Sequence, residues 1–197
     1  ASHRDRVADE LATLRGAGER LDRLDGEIAA AAAAWQKAAD ALSASRRRAG
    51  DALATATTAL VAELGMGGGR FLVELEPAAT GRPDPNGAER VEFLVAANAG
   101  QPPRPLRKVA SGGELSRISL AIEVAALGSD AVPTMVFDEV DSGIGGAVAE
   151  IVGRKLRALG RARQVLCVTH LPQVAAQGHA HYRVSKAPGE GITRSAV

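Results

Sequence analysis

From Val7 to Leu64 the chain runs without a proline through Ala, Arg, Leu and acidic residues, and its apolar side chains return every seven positions at Val7, Leu14, Leu21, Ile28, Trp35, Leu42 and Ala49. A second seam falls between them at Leu11, Ala17, Leu24, Ala31 and Ala38. Alternating spacings of three and four residues are the period of a coiled coil rather than of a helix lying on a globular core. At about 1.5 Å per residue such a helix reaches roughly 85 Å, longer than a small domain is wide. Gly16, Gly18, Gly26 and Gly50 each weaken it by about 1 kcal/mol relative to Ala, which predicts a break or bend near Gly16. The seam needs a covering helix. A bundle closed within the chain would need more long helices than the sequence offers, so an arm whose partner strand lies outside the sequence is the preferred reading.

After Met66-Gly67-Gly68-Gly69 the period changes to two. Phe71, Val73 and Leu75 alternate with Leu72, Glu74 and Glu76, and Val91, Phe93 and Val95 repeat the pattern beyond the turn-rich segment from Thr80 to Gly87. Two such runs around a polar loop predict an antiparallel hairpin. Gln101-Pro102-Pro103-Arg104-Pro105 reads as a linker or irregular loop. Helices are then expected from Gly113 to Leu127 and from Gly145 to Leu159, with strands from Thr134 to Phe137 and from Gln164 to Thr169. A short strand is expected around His181 to Ser185. The continuous apolar runs TMVF and VLCV suit strands buried on both faces, as in a parallel sheet covered by helices. The fold class is α/β, with residues 1–64 an arm segment and 65–197 a lobe.

Composition narrows the function classes. Lys plus Arg number 24 against 23 Asp plus Glu, a formal charge of +1 that leaves no broad electrostatic footprint for nucleic acid. One cysteine excludes an intrachain disulfide framework. No run of about 18 uncharged apolar residues is present to span a membrane. The start at Ala1-Ser2-His3-Arg4 lacks a secretory signal and reads as a cut inside a longer protein or an added remnant.

Three motifs carry chemistry. Ser111-Gly112-Gly113-Glu114 opens an apolar-periodic helix bearing Leu115, Ile118 and Ile122. A hydroxyl and two glycines there expose backbone N–H groups at the positive end of the helix dipole, an anion site. The same residues are also those of a plain Ser N-cap with Glu114 three positions on. Met135-Val136-Phe137-Asp138-Glu139 is a strand ending in two carboxylates, at the edge where ligands of open α/β folds bind. Asp138 suits Mg²⁺, a hard cation that takes oxygen ligands, and Glu139 suits orienting and deprotonating an attacking water. Val165-Leu166-Cys167-Val168-Thr169-His170 is a second strand with a polar end. If it lies parallel to the first, His170 emerges beside Asp138 and Glu139. Cys167 reads as core packing. Arg46-Arg47-Arg48 and Arg161 with Arg163 are local basic clusters that fit either phosphate contacts or a solvated face. His3, His179 and His181 carry no assignable role.

The order of these motifs makes the chain recognisable. ASGGELSRISLAIEVAAL, VPTMVFDEVDSGIGGAVAEIVGRKL and QVLCVTHLPQVAAQGHAHYRVSK closely resemble the C-terminal half of the RecN family of bacterial DNA-repair proteins, in the SMC-like branch of ABC-type ATPases. The resemblance runs from about Phe93 to Lys186. It implies the C-terminal lobe of an ABC/SMC-type head, an incomplete P-loop NTPase fold, preceded by a coiled-coil helix. It implies that Ser111, Gly112, Gly113 and Glu114 form the signature loop that contacts the γ-phosphate of ATP bound to an opposing head, with Ala110 in place of the usual Leu. Asp138 matches the Mg²⁺ aspartate, Glu139 the catalytic glutamate, Asp141 with Ser142 and Gly143 the loop that crosses the dimer interface, and His170 the histidine that senses the γ-phosphate.

A nucleotide-hydrolysing head also needs a phosphate cradle of the form G-x-x-x-x-G-K-[ST]. Lys37, Lys108, Lys155 and Lys186 follow Gln36, Arg107, Arg154 and Ser185, so none follows a glycine. The resemblance therefore implies ATP and Mg²⁺ as ligands of a complete head, an N-terminal head segment and a second copy as partners, DNA as the target, a cytoplasmic and nucleoid-associated location, and negligible ATPase activity for this chain alone. A transporter-type ABC motor is the first alternative, disfavoured by the heptad arm. A non-catalytic coiled-coil interaction module is the second, disfavoured by the joint presence of Asp138, Glu139 and His170.

Overall fold

A computed structural model describes residues 2–78, 82–109, 111–126, 132–188 and 193–196, the backbone alone in the last seven of these. The chain divides into two compact units, Ala1–Arg48 with Leu75–Val91, and Ala49–Glu74 with Glu92–Val197. Helix α1, His3–Glu63, is uninterrupted through Gly16, Gly18 and Gly26. The predicted break near Gly16 is thus not formed: each glycine weakens the helix but removes no hydrogen bond from it, and the surrounding Leu, Arg, Glu and Ala are strong helix formers. No helix among the described residues is long and apolar enough to cross a membrane.

In the first unit the heptad positions stand in the open, with Leu14 69%, Leu21 62% and Ile28 64% exposed, as an apolar stripe without its partner must be. Towards Arg48 the helix is covered by the loop before β2. The indole Nε1 of Trp35 donates to the Asp84 carbonyl at 2.9 Å, and Ser43 donates to the Glu89 carboxylate at 2.6 Å. Arg47 pairs with the same carboxylate at 3.3 Å, and Arg46 donates to the Glu89 carbonyl at 3.1 Å. Two members of the Arg46-Arg47-Arg48 cluster thus bind the start of β2.

In the second unit α1 ends because Gly65 takes φ +84°, open to a residue without Cβ. Gly65 N–H donates to the Ala62 carbonyl and Met66 N–H to the Val61 carbonyl, at 3.3 and 3.2 Å, which satisfies the orphan carbonyls of the last turn while Val61 and Met66 bury together. Strands β1, Arg70–Pro77, β2, Glu89–Ala96, and β3, Arg104–Pro105, form one sheet in that order. The Gln101–Pro105 segment is therefore only partly irregular, since Leu94 and Val95 pair with Pro105 and Arg104. Thr58 caps the exposed edge of β1 by accepting from Phe71 N–H at 3.0 Å. Phe71 and Phe93 rings pack 5.4 Å apart, and Phe71 joins Val61, Leu64, Ile118, Leu120, Val140, Val152 and Leu159 in the core.

The rest follows the expected alternation: α2, Gly112–Ala125, β4, Thr134–Phe137, α3, Gly146–Leu159, β5, Gln164–Cys167, and α4, Pro172–Ala175. The predicted helix end at Leu127 lies outside the described residues. Strand β5 stops at Cys167 rather than Thr169, and the expected strand at His181 instead begins at Ser185 and pairs with a further one as β6, Ser185–Pro188, and β7, Thr193–Ala196. Strands β4 and β5 are parallel, with Phe137 opposite Cys167. They are not buried on both faces. Phe137 is 5% exposed and packs inward, whereas Val136 is 69%, Leu166 44% and Val168 61% exposed on the other face. The apolar runs do form strands, but among the described residues helices cover only one face of them.

Candidate functional site

Two parallel neighbours that end at the same level bring their following residues together. Val168 N–H donates to the Phe137 carbonyl at 2.9 Å, so the polar ends of β4 and β5 share one cleft, lined by Asp138, Glu139, Asp141, Ser142, Thr169 and His170. Asp138 is exposed, and one of its oxygens accepts from Glu139 N–H at 2.9 Å. Glu139 has φ +57°, a left-handed conformation uncommon in a residue with a Cβ, and its carbonyl accepts from Ser142 N–H at 3.0 Å to close a tight turn.

Helix α2 grips that turn. Ser116 donates to the Asp138 carbonyl at 2.6 Å, and Arg117 donates to the Ser142 carbonyl at 2.7 Å. Of the two glycines, Gly113 is required by closeness. A Cβ on Gly113 would stand 2.9 Å from Ser142 Cβ and 3.2 Å from the Glu139 carbonyl oxygen, and one on Gly112 would overlap the Glu139 carboxylate. Ser111 caps α2, its Oγ accepting from Glu114 N–H at 3.4 Å, so the cap reading holds whatever else the loop does. Ala110 lies outside the described residues.

Asp141 is not on the surface. Its side chain is 3% exposed, and one carboxylate oxygen accepts from the Thr169 hydroxyl, from His170 N–H at 3.1 Å and from Leu171 N–H at 3.4 Å. The same oxygen lies 3.4 Å from His170 Nδ1, while the His170 side chain is 70% exposed to the cleft. Burial by itself pushes the Asp141 carboxyl up, but these donors together with His170 outweigh it and hold the group below the usual carboxylate range. A carboxyl depressed in the folded state adds stability above its unfolded value of about 3.9 and loses it as pH falls through the lower folded value. Acidification from about pH 4 downward should therefore lower the urea midpoint of the wild type more steeply than that of Asp141→Asn; parallel curves would remove Asp141 as a source of acid sensitivity.

Burial, then the charges of Asp141 and Asp138, push the Cys167 thiol up to about 11, in keeping with a packing role. Arg163 is not free for phosphate: its side chain is 4% exposed and pairs with Glu123 at 3.0 Å. His179 and His181 are exposed and outside the cleft lining. Among the described residues no group of three or more His, Cys, Asp or Glu is placed to hold a metal ion. A divalent cation here would rest on the exposed Asp138 carboxylate plus ligand and water oxygens, which is how Mg²⁺ is held beside phosphates.

Ser116, Arg117 and Thr169 were not singled out from the sequence. A signal for Arg117 existed. It falls four residues after Gly113 on the face that buries Ile118, Leu120 and Ala121, and an arginine on an apolar stripe must find a carbonyl or carboxylate.

No family model matches the sequence. Along its full 197 residues the chain is 66% identical to the DNA repair protein RecN of Xylella fastidiosa, of which it covers 35%. It is 46% identical over 177 residues, 90% of this chain, to the DNA repair protein RecN of Haemophilus influenzae, covering 32% of that protein. The chain thus spans about a third of the length of the curated relatives it matches. Among solved structures it resembles the Smc head domain with an extended coiled coil from Pyrococcus furiosus, at 20% identity and TM-score 0.51 over 76% of this chain and 35% of that one. It resembles equally the Smc head domain with a coiled coil and joint from Pyrococcus yayanosii, at 22% identity and TM-score 0.51 over 74% of this chain and 26% of that one. The fold is accordingly that of part of an SMC-type head.

Proposed function

We propose that the chain is part of a RecN-type DNA repair protein, since it is 66% identical to one along its full length while spanning about a third of that relative, and that it supplies the C-terminal lobe of an ATP-hydrolysing head and one strand of its coiled-coil arm. The arm comprises residues 1–64, its last turns built into the lobe of residues 65–197. The whole protein acts in the repair of double-strand breaks, and ATP joins two heads on or between DNA molecules.

One observation carries this reading: Asp138-Glu139 and Thr169-His170 end adjacent parallel strands and line a single cleft against which the glycine-rich start of α2 is packed. Asp138 holds Mg²⁺, which neutralises phosphate charge when bound. Glu139 accepts the proton of the water that attacks the γ-phosphorus, and ADP is the leaving group. His170 contacts the γ-phosphate from the neighbouring strand end. Ser111, Gly112 and Gly113, with Glu114 behind them, offer backbone N–H groups at the positive end of α2 to the γ-phosphate of ATP on a second copy. Ser142 and Gly143, both exposed, form the surface beside that copy, while the Asp141 carboxylate faces inward.

The uncovered apolar face of Val136, Leu166 and Val168 supports a second reading of the same kind: the N-terminal head segment, which brings the phosphate cradle, completes the sheet there. Arg163, buried and paired with Glu123, is withdrawn from contact with DNA. The test is reconstitution. This chain alone should show negligible ATP turnover, and addition of the N-terminal segment should produce it; turnover by the chain alone at the rate of the mixture would overturn the assignment.

A further inference from the structure

The Asp141 carboxylate is nearly fully buried, yet it lies against the His170 side chain, which is 70% exposed in the cleft beyond the end of β5. Its accepting oxygen gathers the Thr169 hydroxyl and the N–H groups of His170 and Leu171, which fixes the backbone on both sides of His170. The same oxygen stands 3.4 Å from His170 Nδ1. A neutral imidazole carries its proton on one nitrogen only, and the partner of one nitrogen decides what the other can do. A carboxylate accepts hydrogen bonds and cannot donate them, so it selects the form with the proton on Nδ1.

We propose that Asp141 is a positioning residue that holds the His170 imidazole with Nδ1–H turned inward and Nε2 presented to the cleft. The two strand ends then move together, because the loop after β4, which carries Asp138 and Glu139, is tied through Asp141 to the loop after β5. Neutral His170 consequently meets a ligand in the cleft with a hydrogen-bond acceptor at Nε2, and it donates there only when protonated. The part of this inference that concerns turnover rests on the proposed ATPase reading; the part that concerns the ring does not.

Two measurements separate them. Long-range ¹H–¹⁵N spectra of the ¹⁵N-histidine-labelled chain at about pH 8, where an ordinary histidine is neutral, should show the His170 proton on Nδ1. In Asp141→Asn it should move towards Nε2. A wild-type proton on Nε2, or a tautomer indifferent to Asp141→Asn, overturns the proposal, and the wild-type spectrum decides even if the variant folds poorly. In the head completed by the N-terminal segment, Asp141→Asn should lower kcat by about tenfold or more with KM for ATP little changed. It should add nothing in a His170→Ala background, since its effect passes through that ring. Multiplying effects would overturn the positioning role. If even the wild-type mixture fails to turn over ATP, the functional reading falls while the spectra still decide the tautomer.

Discussion

Glu139→Gln, placed in a head completed by the N-terminal segment, should reduce ATP turnover by about 10²–10⁴, the usual contribution of a positioned general base, while ATP binding and ATP-dependent association of heads persist. The substitution keeps the side chain's volume and its acceptor oxygen but removes the group that takes the water's proton. In the proposed site, binding rests on the phosphate cradle, on Asp138 and on the N–H groups of α2, none of which Glu139 supplies. Single-turnover kinetics with measurement of nucleotide retained on the protein would check both halves. Turnover within about threefold of the wild type would remove Glu139 from the chemistry. Loss of association together with turnover would instead point to the turn itself, since Glu139 adopts φ +57° and its carbonyl anchors Ser142 N–H.

Much of this site was legible because strand and helix periods differ. The runs ending at Asp138 and His170 could be read as parallel strands, and parallel pairing alone brings their ends together, as the Phe137–Cys167 register does. The depth of Asp141 was not legible. A loop aspartate four residues after a strand looks like a surface group, and only the arrival of Thr169, His170 and Leu171 from beyond the next strand, some 28 to 30 positions on, turns it inward. The exposed face of β4 and β5 was hidden for a related reason. An apolar run records what a strand meets in its complete setting, so Val136 and Val168 signal a covering layer that is absent among the described residues. The arm's continuity failed in the opposite direction. Glycine penalties of about 1 kcal/mol each are real but local, and a helix of 61 residues carries them without breaking because propagation proceeds residue by residue on either side.

Gly113→Ala should separate the packing role of the α2 N-terminus from its proposed role toward a second head. A Cβ there meets the Ser142 carbonyl oxygen at 3.1 Å and the Glu139 carbonyl oxygen at 3.2 Å as well as Ser142 Cβ at 2.9 Å. Backbone on the far side cannot swing away as a side-chain end can, so α2 and the turn must part. Overpacking of this kind costs about 1–3 kcal/mol, and the bonds from Ser116 and Arg117 to the Asp138 and Ser142 carbonyls would lengthen with it. Arg117 is the sensitive partner. Burial pulls its guanidinium below the ordinary range against the pull of Glu114, and its Nε has no hydrogen-bond partner among the described residues. Gly112→Ala differs in kind, because the new methyl meets only the carboxylate end of Glu139, which can rotate into the cleft. Urea unfolding of the chain should show Gly113→Ala destabilised and Gly112→Ala close to the wild type, whereas both should impair ATP-dependent association of completed heads. Equal stability of the two variants would mean that the turn yields freely, and the pairing of two glycines at the start of α2 would then answer to the second head alone.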